Sequence, residues 1–290
     1  MRHLGFLPVG AGTAIAPAAG MNGPFDLSVI VPAYNEEARL EPTLREAAAY
    51  LRSRGRRAEL IAVDDGSRDG TGALVRRLAD EIAELRLIRL PANRGKGYAV
   101  RTGVVNARGA RVLFMDSDGA TPMAELERLE AALDAGADVA IGSRAMASDQ
   151  VRVKARLHRR VIGRVFHLLV SALAVRGFRD TQCGFKLFTA AAAQDLFTRM
   201  RMNRYSFDVE VLLMARLRGY RVDEVPVNWV HRPGSQVNLV TDSLRMAADL
   251  VAIRARLLRG GYARPHLAPL LERPAPLPLA RAATEPPALV

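Results

Sequence analysis

Three observations predict an α/β fold with a doubly wound, mostly parallel sheet and helices on both faces. Between Asp26 and Arg144, short apolar runs alternate with stretches of helical periodicity, the pattern of repeated strand–helix units. The runs are continuously apolar rather than alternating, as expected of strands covered on both faces. A polar cluster closes each run, at the carboxyl end where sheets of this kind hold ligands.

The first run, LSVIVPA (27–33), predicts a strand, and Leu40, Leu44, Ala47, Ala48 and Leu51 share one face of the helix after it. AELIAVDD (58–65) predicts a second strand, and GSRDGT turns the chain into a helix carrying Leu74, Leu78 and Ile82. LRLIRL (85–90) is a third, followed by a helix from about Gly97 to Ala107. RVLFM (111–115) is a fourth, after which Thr121 and Pro122 suit the N-cap and first turn of a helix. ADVAIGSR (137–144) adds another strand. The style then changes. Residues 152–176 predict a long helix, basic in its first half and apolar in its second (FHLLVSALAV, 166–175), which is either core or a lipid-facing surface. RDTQCGFKLF (179–188) reads as a loop into a short strand, 205–219 as a helix and 220–229 as a strand. HRPGSQV makes a turn, and 242–258 a last amphipathic helix with Leu244, Leu250, Val251, Ile253 and Leu257.

A chain of 290 residues with 49% hydrophobic content can bury a large core. Residues 1–24 predict a flexible extension, since Pro8, Gly10 and Gly12 interrupt what would otherwise resemble an export signal. Residues 25–259 form the domain, and 260–290 a Pro/Ala-rich tail without period. No stretch has the ~20 unbroken apolar residues of a spanning helix. A net charge of +12 implies an anionic partner. Nucleic acid is not expected, because the arginines are not interleaved with aromatics and no nucleic-acid-binding signature is present. The single cysteine, Cys183, excludes an intramolecular disulfide and suits a small core residue. His158, His167 and His231 lack metal-ligand spacing.

The polar clusters carry the chemistry. Pro32, Tyr34 and Glu36 follow the first strand, Asp64 and Asp65 end the second, and Lys96 follows the third. Asp116 and Asp118 follow the fourth, and Arg144 closes the fifth. Neither a dinucleotide fingerprint nor a P-loop is present. Two carboxylates separated by one serine repel each other, so Asp116 and Asp118 either point into water or hold a cation.

VPAYNE (31–36), VDDGSRDGT (63–71), NRGKGYAVRTG (93–103), DSDGAT (116–121), IGSR (141–144), DTQCGFKLF (180–188), FDVEVL (207–212) and EVPVNW (224–229) resemble the inverting GT-A glycosyltransferases of family 2. The likeness is closest to the branch that glycosylates polyprenyl phosphates, and it spans about residues 26–256. It implies a GT-A (Rossmann-like) sheet with C-terminal amphipathic helices. It also implies transfer of glucose from UDP-glucose to a polyprenyl (dolichyl-type) phosphate, by a peripheral enzyme at the cytosolic face of a membrane. GDP-mannose as donor, a soluble acceptor, or an inactive nucleotide-sugar-binding scaffold are the alternatives.

By the same resemblance, Asp118 contacts Mg2+ or Mn2+, and Asp116 binds the metal or the ribose. Ala120 stands where related mannosyltransferases often carry Gln, which leaves the third metal ligand to water or Thr121. Pro32, Tyr34 and Glu36 would pack around base and ribose, Asp64 or Asp65 would accept the uracil N–H, and Lys96 would lie near the nucleotide. Asp180 and Gln182 would line the sugar pocket. Arg144 and Arg164, with Arg160 next, would grip the acceptor phosphate, helped by Ser235, while Arg232 would close over the diphosphate. Arginine suits that task because it keeps its charge and binds phosphate through two donors.

Overall fold

The computed structural model describes residues 25–146, 153–154, 175, 177–232 and 239–262. Its centre is a seven-stranded sheet of order β3-β2-β1-β4-β7-β5-β8. The strands are β1 (Phe25–Ala33), β2 (Ala58–Asp64), β3 (Leu85–Arg89), β4 (Gly109–Met115), β5 (Val139–Ser143), β7 (Phe185–Thr189) and β8 (Val222–Pro226). A separate short ribbon pairs β6 (Val153–Lys154) with β9 (Trp229–Val230). The helices are α1 (Leu40–Ser53), α2 (Thr71–Glu81), α3 (Lys96–Val105), α4 (Leu126–Asp134), α5 (Ala190–Arg199), α6 (Phe207–Leu217) and α7 (Leu239–Leu258).

The period-2 geometry of a strand explains why the runs are continuously apolar. Val29, Val31, Leu60, Ala62, Leu113 and Met115 join one core, with Leu40 and Leu44 of α1 and Leu126 of α4. Their neighbours Ile30, Ile61, Val63, Val112 and Phe114 join a second core on the opposite face, with Val100 of α3 and Leu212 of α6. Both faces are covered, and the few polar side chains buried there, such as Ser28 and Glu59, bond to each other.

The sheet departs from a purely parallel one at β7, which runs antiparallel to both β4 and β5. The reversal matters for the site. In a parallel strand the carboxyl end reaches the ligand rim; in β7 it is the amino end, so the preceding segment, Asp180–Gly184, arrives beside Asp116. The Asp116 N–H accordingly donates to the Gly184 carbonyl at 3.0 Å.

Two local expectations are corrected. Thr121 does not cap a helix: Pro122 precedes the 3-10 turn Met123–Glu125 in an extended conformation without a side-chain cap, and Thr121 is buried. The last helix does not bury all its apolar residues on one core-facing side. Leu250 and Ile253 are fully buried, but Leu244 and Val251 are 69% and 59% exposed. Leu244, Val251 and Leu258 recur every seven residues, which places them on a stripe away from the core.

Candidate active site

β1 and β4 are neighbours in the sheet, although the chain visits β2 and β3 between them. The loops leaving them lie side by side at the carboxyl edge of the sheet, where folds of this kind bind ligands. A cavity of about 320 Å3 lies there. Its walls include Pro32, Tyr34 and Glu36 after β1, Asp65 after β2, Lys96 at the start of α3, and Asp116 and Asp118 after β4.

Local bonding holds the walls. Asn35 takes a left-handed backbone with φ of 52°; its N–H donates to Ser67 Oγ at 2.9 Å, and its Oδ1 accepts the Arg68 N–H at 2.9 Å. Those bonds tie the loop after β1 to the loop after β2. Glu36 is clasped by Arg39, with Nε to Oε2 at 2.8 Å and Nη2 to Oε1 at 2.7 Å. Burial pushes the Glu36 carboxyl above its ordinary value despite that pairing.

The two aspartates of DDGS divide their work. Asp64 is fully enclosed and does not line the cavity; its Oδ1 accepts the Ser67 N–H at 2.8 Å, the turn-forming role expected of that sequence. Asp65 reaches the cavity, and its two oxygens accept the Arg94 and Gly95 N–H groups, each at 2.8 Å. Each carboxylate oxygen has a second lone pair, so Asp65 can still accept a ligand N–H. Burial raises its pKa.

At the end of β4, Lys96 Nζ lies 2.7 Å from Asp116 Oδ1. Burial alone would lower the lysine's pKa, but the Asp116 and Asp208 carboxylates more than reverse this and raise it. Asp118 accepts the Ala120 N–H at 3.0 Å through Oδ1. Burial, and then the Asp116 charge, raise its pKa. A carboxylate held at such a cost is the kind a cation relieves. Among the described residues no group of three or more His, Cys, Asp or Glu side chains is arranged to hold a metal. The carboxylate pair Asp116 and Asp118 is the donor type that suits Mg2+ or Mn2+, which take one or two carboxylates and complete their shells with substrate phosphates and water.

Arg144 lies beside this cavity rather than in its lining. It is bound to Asp180 through Nε–Oδ2 at 2.7 Å and Nη2–Oδ1 at 2.9 Å, and its guanidinium lies 5.6 Å from the Trp229 ring centre. Burial opposes ionisation of Asp180, but Arg144 prevails and holds its pKa at about 2. The guanidinium's charge is thus balanced within the protein. Gln182 Nε2 is buried and has no hydrogen-bond partner among the described residues, so it has a donor to spare. Arg232 is exposed. Arg160, Arg164 and Ser235, with most of the apolar segment 166–175, lie outside the described residues; Val175 is buried.

Sequence reasoning missed Arg39, Arg204, Tyr205 and Asp242, which also line the cavity. Arg39 carries a local signal, since it is three residues from Glu36 and before a helix. Arg204 and Tyr205 are delivered by the loop before α6, whose Asn203 carbonyl accepts the Tyr98 N–H at 3.0 Å. Nothing local in the sequence announces that contact.

A seven-stranded, mostly parallel sheet with a switch-point cavity and an acidic pair after β4 defines the GT-A glycosyltransferase class. The glycosyl transferase family 2 model matches residues 28–197, and the chain belongs to that family. It is 39% identical over 249 residues to dolichyl-phosphate beta-glucosyltransferase from Homo sapiens, covering 81% of this chain and 77% of that protein. The Saccharomyces cerevisiae protein of the same name is 38% identical, with 81% and 76% covered. Among solved structures, glucosyl-3-phosphoglycerate synthase from Mycobacterium tuberculosis, in complex with Mn2+, uridine-diphosphate-glucose and phosphoglyceric acid, shares the fold. It superposes with a TM-score of 0.58 at 21% identity, covering 82% of this chain and 80% of that one.

Proposed function

We propose that this protein transfers glucose from UDP-glucose to a polyprenyl phosphate of the dolichyl type, with inversion at the anomeric carbon. The observation that carries the reading is the cavity itself. Its lining brings Pro32, Tyr34 and Asp65, which suit a uridine, together with Lys96, Asp116 and Asp118, which suit a cation and a diphosphate. The shared name of the relatives from Homo sapiens and Saccharomyces cerevisiae supports the substrates.

Asp65 receives the uracil N–H, and Tyr34 and Pro32 pack on base and ribose. Asp116 and Asp118 would hold Mg2+ or Mn2+, which would supply Lewis acidity for the charge that builds on the leaving β-phosphate oxygen. Lys96, balanced by Asp116, faces the same charge. Gln182, with its unsatisfied amide, donates to a sugar hydroxyl, and the Asp180–Arg144 pair forms the adjoining wall. A phosphate oxygen of the acceptor attacks C1 from the face opposite UDP; the C1–O bond to the β-phosphate breaks and UDP leaves with its electron pair. The acceptor phosphate is largely ionised at neutral pH, with a second pKa near ~6, so no general base is required. Arg144, Arg160, Arg164, Arg232 and Ser235 are the candidates for holding it.

The enzyme works, on this reading, at the cytosolic surface of a membrane. No helix among the described residues is long and apolar enough to cross one. The exposed Leu244, Val251 and Leu258, with exposed Arg254 and Arg259 nearby, support contact with an anionic bilayer. Incubation with radiolabelled UDP-glucose, Mg2+ and a short polyprenyl phosphate is expected to move label into the organic phase. Label remaining aqueous with every polyprenyl phosphate would refute the lipid acceptor, and no turnover with any nucleotide sugar would refute the enzyme.

A further inference from the structure

An ion pair lies in the interior outside the cavity: Lys186 Nζ and Asp208 Oδ1 are 2.6 Å apart, with the residues 1% and 3% exposed. Lys186 is on β7, directly opposite Phe114 of β4, and Asp208 is in the first turn of α6. Withdrawing two charges from water is costly, and apolar residues of similar volume hold a strand to a helix at least as well. What they cannot do is donate a hydrogen bond. Lys186 Nζ also donates to the Cys183 carbonyl, at 2.5 Å.

That second bond leads to the donor site. The next residue, Gly184, accepts the Asp116 N–H at 3.0 Å. Its Cα is pressed so close to the Asp116 carboxylate that a Cβ there would overlap the carboxylate atoms. From the other side, Lys96 Nζ reaches Asp116 Oδ1 at 2.7 Å. Both ammonium groups lie near the Phe114 ring, at 5.3 Å for Lys96 and 5.9 Å for Lys186. The Asp116 carboxylate is therefore held between a lysine in the cavity and a turn that a second lysine anchors from beneath.

We propose that the buried Lys186–Asp208 pair is a positioning unit for the donor site: it fixes the Cys183–Gly184 turn, and the turn sets the Asp116 carboxylate against the cation and diphosphate. The inference rests on the donor reading above and adds the residues that act through Asp116 without touching substrate.

The double variant Lys186→Met/Asp208→Leu removes both charges and keeps the bulk, so the domain is expected to stay folded. Calorimetry with UDP and Mn2+ should show at least tenfold weaker binding, while uridine alone binds as in the wild type. The KM for the donor should rise at least tenfold with kcat changed less than threefold. The Asp116 amide should exchange with solvent at least tenfold faster. Gly184→Ala, which attacks the same linkage at its far end, should give the same pattern. A folded double variant with UDP–Mn2+ affinity and KM within twofold of wild type overturns the proposal, as does a defect seen in Gly184→Ala alone. If the wild-type chain binds no UDP, the donor reading fails instead. The linkage is then judged on Asp116 amide exchange, where an unchanged rate overturns it and a tenfold rise supports it.

Discussion

Asp118 is half-buried and Asp180 buried, and their surroundings set these carboxylates opposite tasks. Asp118 has one backbone N–H at 3.0 Å and the like charge of Asp116 beside it, so its ionised form is strained until a cation arrives. Asp118→Ala is expected to lower kcat by roughly 100- to 1,000-fold, the usual loss when charge developing in a transition state goes unstabilised. Steady-state assays over a Mn2+ series check this, and full activity would remove the aspartate from the metal site. Asp180 has a two-point arginine clasp instead. Its pKa lies at about 2, below the ordinary 3.8, so ionised Asp180 stabilises the fold above about pH 4. That contribution is lost as pH falls from about 4 to about 2. Asp180→Asn leaves the half-buried Arg144 guanidinium without a counter-charge and should cost about 1–3 kcal/mol at pH 7. Urea unfolding at pH 7 and pH 3 tests both parts, because the gap between variant and wild type should narrow in acid.

The loop before α6 is the element that most changes the site's shape. Gly95 has φ of 101°, and a Cβ there would lie 2.5 Å from the Asn203 carbonyl oxygen. Only glycine allows the start of α3 to pack so closely on that loop. Glu210 of α6 fastens the loop from behind, accepting the Arg201 N–H at 2.8 Å and the Met202 N–H at 2.7 Å. Gly95→Ala is expected to displace Arg204 and Tyr205 from the cavity wall. We expect a rise of about tenfold in donor KM, the order of effect produced by misplacing a positioning group. An unchanged KM in a folded variant would mean that the loop is not part of the donor pocket. The spacing NRGKG made glycines visible here, but their partner is a carbonyl more than a hundred residues away along the chain. No local pattern encodes that pairing.

For the molecule as a whole, the basic surplus and the stripe on α7 bear on where it works. Leu244, Val251 and Leu258 are 69%, 59% and 72% exposed, so replacing them together with Asp should leave the core intact. Co-sedimentation with phosphatidylserine vesicles is expected to fall several-fold in that variant and to weaken with salt in the wild type. Equal sedimentation of the two proteins would mean that α7 does not meet the bilayer.

The alternation of strands and helices, the two-faced burial and the acidic pair after β4 were all legible in the chain. Each depends on residues within a few positions of one another: hydrophobic period, turn chemistry, like charges side by side. Val29 and Ile30 point to opposite cores because strand geometry alone dictates it. Other features depended on which distant segments came to lie together. The reversal of β7, the balancing of Arg144 by Asp180, the enclosure of Asp64 and the Lys186–Asp208 linkage belong to this kind. A charged side chain carries the same charge wherever it falls in the chain, but its pKa, its partner and its freedom to meet a ligand come from the low-dielectric surroundings that folding assembles.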